Sequence, residues 1–396
     1  MRISRTISSW AIVLAFAAPP LLAQQVRPVP PRVTQDIDGT KLVILRGNTH
    51  PLARAEYDQG AAPQDLPMER ILLLLSRSPV QEAALQQLLE EQQDPGSVNY
   101  HRWLTPEQFG DQFGPALEDI AKITGWLQAE GFRVDRVANG RGVVEFSGTA
   151  AQVEHGFHTP IHSYFVNGEQ HWANARDPQI PVALSPVVAG IVSLHSFPVK
   201  TTHHSAGAFR KDPGDSAWVP ASPSPEFAVS INNTTYYAVA PYDFATIYNV
   251  LPLWNAGVDG TGVSIAIPAR SNITPQDVRN FRSAFGLPAN DPTITVNPPD
   301  PGLTSDKFEF EATLDVEWAG AVARGATITL VVTEATAATD GVILSAEYIV
   351  NNNLAQVLSY SYETCEVASS QFYSPWWEQA AADFLHTVRR IPCDEA

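Results

Sequence analysis

Residues 308–333 read FEFEATLDVEWAGAVARGATITLVVT, and the fold turns on them. The stretch to Gly325 has helical spacing and ends on a glycine; ATITLVVT (326–333) is β-branched and apolar, the signature of a short buried strand. Reading outward, GVSIAIPA (262–269) is a second such strand, preceded by the glycines of NAGVDGTG. QDVRNFRSAFGLP (276–288) and DGVILSAEYIVNNNL (340–354) are helical, and AQVLSYSY (355–362) is a further strand. Apolar strands alternating with helices predict a parallel, doubly wound α/β sheet for a domain beginning near Tyr236. Gly257, Gly260 and Gly262 precede a strand, whereas a dinucleotide loop follows one, so they are read as tight turns.

The first half carries a different pattern. ERILLLLSRS (69–78) is a continuous apolar run of strand length. VQEAALQQLLEEQQDP (80–95) has helical spacing, with Ala84, Leu85, Leu88 and Leu89 on one stripe. Thr105-Pro106-Glu107 opens another helix, and PALEDIAKITGWLQAEGF (115–132) places Leu117, Ile120, Ile123, Trp126 and Leu127 on one face. FRVDRVA and GVVEFSG flank Asn139-Gly140, and a second hairpin signal centres on Asn167-Gly168. The order β-α-α-β-β-α-β predicts a compact α+β domain ending near Pro198. Residues 24–67 form a Pro-rich extended lead-in, and the polar, Pro-, Ser- and Thr-rich stretch around 201–235 reads as a linker.

Composition narrows the function. The chain of 396 residues has a net charge of −17, distributed as −4 over residues 1–200 and −13 over 201–396. That excess of acids, without a basic block, excludes nucleic acid as a partner. The N-terminus has Arg2 and Arg5, an apolar run from Trp10 to Ala18, and a small-residue cleavage site at Leu21-Leu22-Ala23. Residues 1–23 therefore read as a signal peptide, and the mature protein is expected to be secreted, extracellular or periplasmic, with no membrane segment. Cys365 and Cys393 permit one disulfide in such a compartment. Neither a CxxC pattern nor the histidines support a metal site: Thr159-Pro160 breaks the helix that would align His155, His158 and His162, and His203-His204 falls in the linker.

The residues with chemical interest lie on the acidic helix. At about 100° per residue, Glu311 and Asp315 stand one turn apart on one face. Glu309 and Glu317 point away and are expected to be solvated. Two explanations fit like charges at this spacing: spare acids on a surface helix, or a pair that shares a proton with one pKa raised. Ser147-Gly148-Thr149 has the look of a nucleophile motif but falls in what reads as an edge hairpin with no base nearby.

Taken together, YHRWLTPEQFGDQFGP (100–115), FSGTAAQVEHGFHTPIHSY (146–164), ATIYNVLPLWNAGVDGTGVSIAI (245–267), EATLDVEWAG (311–320) and QVLSYSYETCE (356–366) resemble the proform of a sedolisin-type serine-carboxyl peptidase of the kumamolisin-like group. The resemblance implies a ferredoxin-like α+β prodomain over residues 24–200, an activation cleavage region in 201–235, and the N-terminal part of a subtilisin-like α/β peptidase domain, incomplete, with a mainly parallel sheet, over 236–382. It implies that Glu311 is the general base for the nucleophile and Asp315 the carboxylate that tunes it. Ser359, Ser361 and Tyr362 would belong to an edge strand that pairs with a peptide or protein substrate. An ordinary subtilisin carries an acid after its first strand, where SIAIPARS (264–271) has none.

The resemblance also has breaks. Glu363 stands where the family's substrate strand continues into glycine. From residue 383 the chain reads DFLHTVRRIPCDEA, an unmatched tail in place of an apolar strand and a Ser-Gly-Asp-Ser-Gly stretch; Asp394 has none of that context. No residue is assigned as the nucleophilic Ser, and the calcium site found in the family has no counterpart. A frameshift or truncation after Ala382 is the expectation. The reading is thus a secreted zymogen of an acid-acting serine-type endopeptidase, inactive as it stands, monomeric, with its own prodomain on the peptidase domain. The rival is a non-catalytic exported prodomain protein that inhibits a related peptidase or helps it fold.

Overall fold

A computed structural model describes residues 29–201, 227–231 and 234–363. In the first unit the order is β1 (Leu42–Ile44), β2 (Asp58–Ala61), β3 (Pro67–Leu75), α1 (Pro79–Gln93), α2 (Pro106–Phe113), α3 (Leu117–Ala129), β4 (Arg133–Val137), β5 (Val143–Thr149), α4 (Ala150–Phe157), β6 (Ile161–Val166), β7 (Glu169–Asn174), β8 (Gln179–Pro181), β9 (Val188–Ile191) and β10 (Lys200–Thr201). A hairpin of β11 (Phe227–Ile231) and β12 (Thr234–Ala238) follows, within the stretch expected to be a structureless linker. The second unit comprises α5 (Pro241–Ile247), α6 (Leu251–Asn255), β13 (Ser264–Ala269), α7 (Pro275–Ala284), β14 (Thr293–Val296), α8 (Asp306–Val322), β15 (Thr327–Val332), α9 (Gly341–Asn351), β16 (Val357–Leu358) and β17 (Tyr362–Glu363).

Local chemistry explains the helix starts of the first unit. Ser78, Thr105 and Thr149 each cap a helix and exchange bonds with a glutamine three residues on (Gln81, Gln108, Gln152), so two otherwise orphaned N–H groups are satisfied at each start. Thr149 is therefore a cap. Ser147 donates to Asp135 from β5, which is an inner strand and not the edge that the sequence suggested. The Asn167-Gly168 turn has both residues at positive φ, 53° and 87°, as a tight two-residue hairpin requires.

The main sheet of this unit is antiparallel, ordered β4-β5-β3-β9. Two expectations need correction. All three helical stretches read between β3 and β4 form, one more than the order β-α-α-β-β-α-β allows, and the β6–β7 hairpin leaves the main sheet to form a separate one with β2. The fourth strand of the main sheet is Val188–Ile191, too short to show a period of its own. Within the helices, Leu117 and Ala84 lie outside the apolar faces on which spacing put them; Leu117 is 62% exposed.

The unbroken apolar run in β3 has a structural cause: both faces of the strand are covered. Met68, Ile71, Leu73 and Leu75 pack against Ile123, Trp126 and Leu127 of α3 and Val153 and Phe157 of α4. Leu72 and Leu74 face the other way, onto Val342, Ile343, Leu344 and Ala346 of α9.

The second unit has the sheet order β14-β15-β13-β16, parallel throughout. Helix α8 and Val278 of α7 cover one face through Ala312 and Val316; α9 covers the other through Ile349. Helices α7 and α8 share a face although the chain crosses the sheet in opposite directions before and after β14, so one of these two crossovers departs from the usual right-handed rule. Sequence reasoning missed β14, a four-residue edge strand between prolines, and overestimated the last strand, which leaves the ladder after Leu358.

Helix α9 is buried on nearly all sides because it lies between the two sheets. Both of its ends are held by the first unit. Asn139, in the β4–β5 turn, donates its N–H to Asn351 Oδ1 and its side-chain amide to the Asn351 carbonyl. At the start of the helix, the 333–340 loop buries Ala338 in the core of the first unit, and the Ala338 carbonyl accepts bonds from the Ser193 hydroxyl (2.7 Å) and the His195 N–H (3.2 Å). Among the described residues no helix is long and apolar enough to cross a membrane.

Candidate active site

Helix α8 carries Glu311 and Asp315 on the turn that faces the end of β16. The surface-helix explanation fails on burial: Glu311 is 1% exposed, and the Asp315 Oδ2 atom is buried with no hydrogen-bond partner. Burial, chiefly, pushes the Asp315 carboxyl up to about 7; the Ser361 hydroxyl bonded to it works in the opposite direction, and the neighbouring Glu311 charge adds to the rise. Asp315 therefore holds a proton well above the usual carboxylate range, beside a second buried carboxyl one helical turn away.

Both carboxyls open into a cavity of about 490 Å³, which Ser359 and Ser361 line from the strand side and Phe244 and Trp318 close with aromatic surface. Sequence reasoning had not singled out Phe244 or Trp318. An aromatic one turn beyond Asp315 was the available signal for Trp318; Phe244 comes from α5, more than sixty residues upstream, and had none.

Glu317 corrects another expectation. It is not freely solvated: burial first, and the Asp277 charge second, push its carboxyl up to about 8. Glu309 is half-buried and accepts a bond from the Thr274 hydroxyl at 3.3 Å. Both therefore face the α7 side of the helix, away from the cavity.

The three strand residues divide. Ser359 and Ser361 line the cavity, and the Ser359 N–H bonds the Ala266 carbonyl at 2.9 Å, which ties this segment to the central strand. Tyr362 does not reach the cavity with its side chain: the ring is 5% exposed, packed with Val199 and Val342, and burial raises its phenol far above the ordinary value. Its main chain, however, sits on the open edge. There β17 pairs antiparallel with β10, Thr201 opposite Tyr362 and Lys200 opposite Glu363, so the tail of the first unit runs along the edge expected to receive a peptide.

Arg270, immediately after β13, is a further buried group the sequence reading passed over, paired with Asp340 at the head of α9. A charged residue directly following an apolar strand of a parallel sheet was the available signal. His155 and His162 pair with different carboxylates, Glu130 and Asp58. Cys365, Cys393, Asp394, His203, His204, the signal segment and the tail from 383 lie outside the described residues.

An α+β unit that packs over a parallel α/β unit and lays its own tail along the neighbouring strand edge, beside a buried carboxylate pair, defines the class: a two-unit protein with a carboxylate-lined cavity in its α/β part. Comparison with known proteins shows what the chain is similar to. Residues 56–197 match the family model described as "Pro-kumamolisin, activation domain". The chain is 28% identical to xanthomonalisin of Xanthomonas sp. (strain T-22) across 94% of its own length and 46% of that protein. It is 26% identical to sedolisin of Pseudomonas sp. (strain 101), covering 72% of this chain and 46% of that one. The figures for kumamolisin of Bacillus sp. (strain MN-32) are 25%, 57% and 38%. The chain is thus homologous over most of its length to peptidases of the sedolisin family, and spans about half the length of the curated relatives it matches.

Proposed function

We propose that this chain is the proform region of a secreted, acid-acting serine-carboxyl endopeptidase, with a ferredoxin-like prodomain seated on the first part of a subtilisin-like domain. The observation that carries the reading is the Glu311–Asp315 pair, buried and opening into a cavity lined by Ser359 and Ser361, just before the two residues on which the first unit's tail pairs. In this reading Glu311 takes the proton of a serine nucleophile, and Asp315, with its raised pKa, holds and returns that proton. The substrate is an extended peptide on the edge of residues 359–363, where main-chain hydrogen bonds supply affinity without regard to side chains. The described tail, residues 200 and 201, covers that edge until the following segment is cut.

No residue of the 396 is assigned as nucleophile or calcium ligand, so the chain itself is expected to be inactive: a base without a nucleophile cannot form an acyl-enzyme. Acid casein hydrolysis tests both statements. The purified 396-residue chain is expected to release no peptides at pH 3–5; release that disappears in Glu311→Ala would overturn its inactivity. A chimera that joins this chain to the segment of a relative carrying the nucleophilic Ser and the oxyanion Asp is expected to hydrolyse casein and to lose about 10²–10⁴-fold in rate on Glu311→Ala. Full activity in that variant refutes the assignment.

A further inference from the structure

One buried ion pair of the second unit makes its remaining bonds to the main chain of a single residue of the first. Arg270 and Asp340 are both 4% exposed, with Nη1 and Oδ2 2.5 Å apart. Arg270 Nη2 donates to the carbonyl of Val199 at 2.7 Å, and Asp340 Oδ2 accepts from the N–H of the same residue at 3.0 Å. The other oxygen of Asp340 caps α9 by accepting from the Val342 N–H at 2.9 Å. The guanidinium is held over the rings of Phe308 and Tyr362, 4.4 and 5.4 Å from their centroids.

Burying a guanidinium and a carboxylate is costly unless their remaining hydrogen-bonding positions are filled, and here the N–H and C=O of Val199 fill one on each partner. The hydrogen bonds to Val199 use its main-chain atoms alone, which every residue other than proline supplies, while its side chain packs among Val342 and Tyr362. One residue further on, the same chain enters the β10–β17 pairing. Main-chain recognition therefore runs unbroken from residue 199 to 201, first by two charged side chains and then by a strand edge.

We infer that Arg270 and Asp340 form a main-chain subsite at the upstream end of the peptide groove, holding the N–H and C=O of one residue of an extended chain, with Val199 as its occupant in this proform. The inference rests on the reading of residues 359–363 as a peptide edge but uses neither Glu311 nor Asp315. With Val199 in place the subsite latches the tail; when the tail leaves, the same pair meets a bare groove with two unfilled hydrogen-bonding positions, which a substrate main chain would occupy.

The test uses the 396-residue chain and amide hydrogen exchange, which needs no catalysis, so its failure is distinct from failure of the proposed chemistry. Val199→Pro deletes the N–H that Asp340 accepts and leaves both charges paired. Exchange at residues 200, 201, 362 and 363 is expected to accelerate about tenfold or more, the loss of one hydrogen bond to a charged group, while amides of β3 and β5 keep wild-type rates. Arg270→Lys, which keeps the charge and loses the fork, is expected to accelerate the same four amides. Added at millimolar concentration to Val199→Pro, a synthetic peptide of residues 195–201 is expected to restore protection at 362 and 363; the same peptide N-methylated at its valine is not. Wild-type exchange in Val199→Pro overturns the inference. So does failure of the unmethylated peptide to protect, or equal protection by the methylated one.

Discussion

Acid should loosen the first unit through His50, and the size of the effect can be worked from its surroundings. His50 stacks on Phe197 with centroids 4.3 Å apart and lies 4.5 Å from the ring of His195, while His171 stacks on the same Phe197 at 4.5 Å. Its Nδ1 accepts a bond from the Leu52 N–H at 3.2 Å, a role that protonation abolishes. Burial, and secondarily the proximity of His171, lower its pKa from 6.5 to about 4. His195, completely buried, is driven well below its ordinary value mainly by the same burial, with Nδ1 unpartnered. The nearest carboxylate to the group is Glu169, 3.9 Å from His171.

The sign follows from linkage. Because the folded pKa of His50 lies below the unfolded one, the unfolded chain binds the extra proton first. The contribution of the neutral ring is complete above about pH 6.5 and is lost as pH falls toward 4. A depression of about two and a half units corresponds to at most about 3 kcal/mol. His195 and Phe197 of the cluster belong to the 193–199 segment that bonds Ala338 and leads to Val199, so the loss falls on the contact between the units. Urea unfolding of wild type and His50→Phe at pH 7.5, 6, 5 and 4 measures it. The phenyl ring keeps the stacking and cannot take up a proton; losing the acceptor for Leu52 adds a cost independent of pH. The stability difference is expected to move in favour of the variant as pH falls, by up to about 3 kcal/mol. A difference constant between pH 7.5 and 4 refutes the reasoning.

Asp315→Asn probes the carboxylate pair the same way, with the opposite sign. Its folded pKa is raised from 3.8 to about 7, so the wild type loses stability as pH rises between those values; the variant should show a flatter profile across that window in thermal melts. Gly341→Ala should destabilise by about 1–3 kcal/mol in denaturant titrations, because the added Cβ would sit 2.1 Å from the Thr333 carbonyl oxygen at the start of α9. Leu74→Ala should cost about 2–5 kcal/mol and expose α9 to amide exchange, since this 1%-exposed side chain packs across the contact between units and nothing nearby refills the space.

Much of this protein is legible without coordinates, and the legible parts are local. Thr105-Pro106 marks a helix start in the sequence, and Ser78 and Thr149 do the same through a glutamine three residues on, because side-chain capping acts within one turn, although the sequence reading passed over the spacing of those two. Glu311 and Asp315 share a face because four residues of helix make it so. The alternation of apolar strands and helices places a parallel sheet after residue 260, and Asn-Gly marks the 167–168 turn. What failed had weak or misleading local signals. The strands at 188–191 and 293–296 are too short for periodicity and hold by pairing with distant partners. The pattern allowed Glu317 to be a surface acid, and only the packing of α7 against α8 raises its pKa.

Two matters were decided by tertiary structure alone. The sequence supplied a carboxylate pair and left open whether it was a solvated surface or a shared-proton unit; desolvation decides this, and desolvation depends on which distant segments cover the helix. The second is the occupant of the strand edge. Arg270, Asp340 and Val199 are separated by some seventy residues at each step, and each taken singly is an ordinary residue of its segment. Spacing along a chain determines which side chains share an element, because the backbone repeat is short and fixed. Which elements meet depends on how two cores close around α9, and that closure brings a buried charge pair onto the main chain of the first unit.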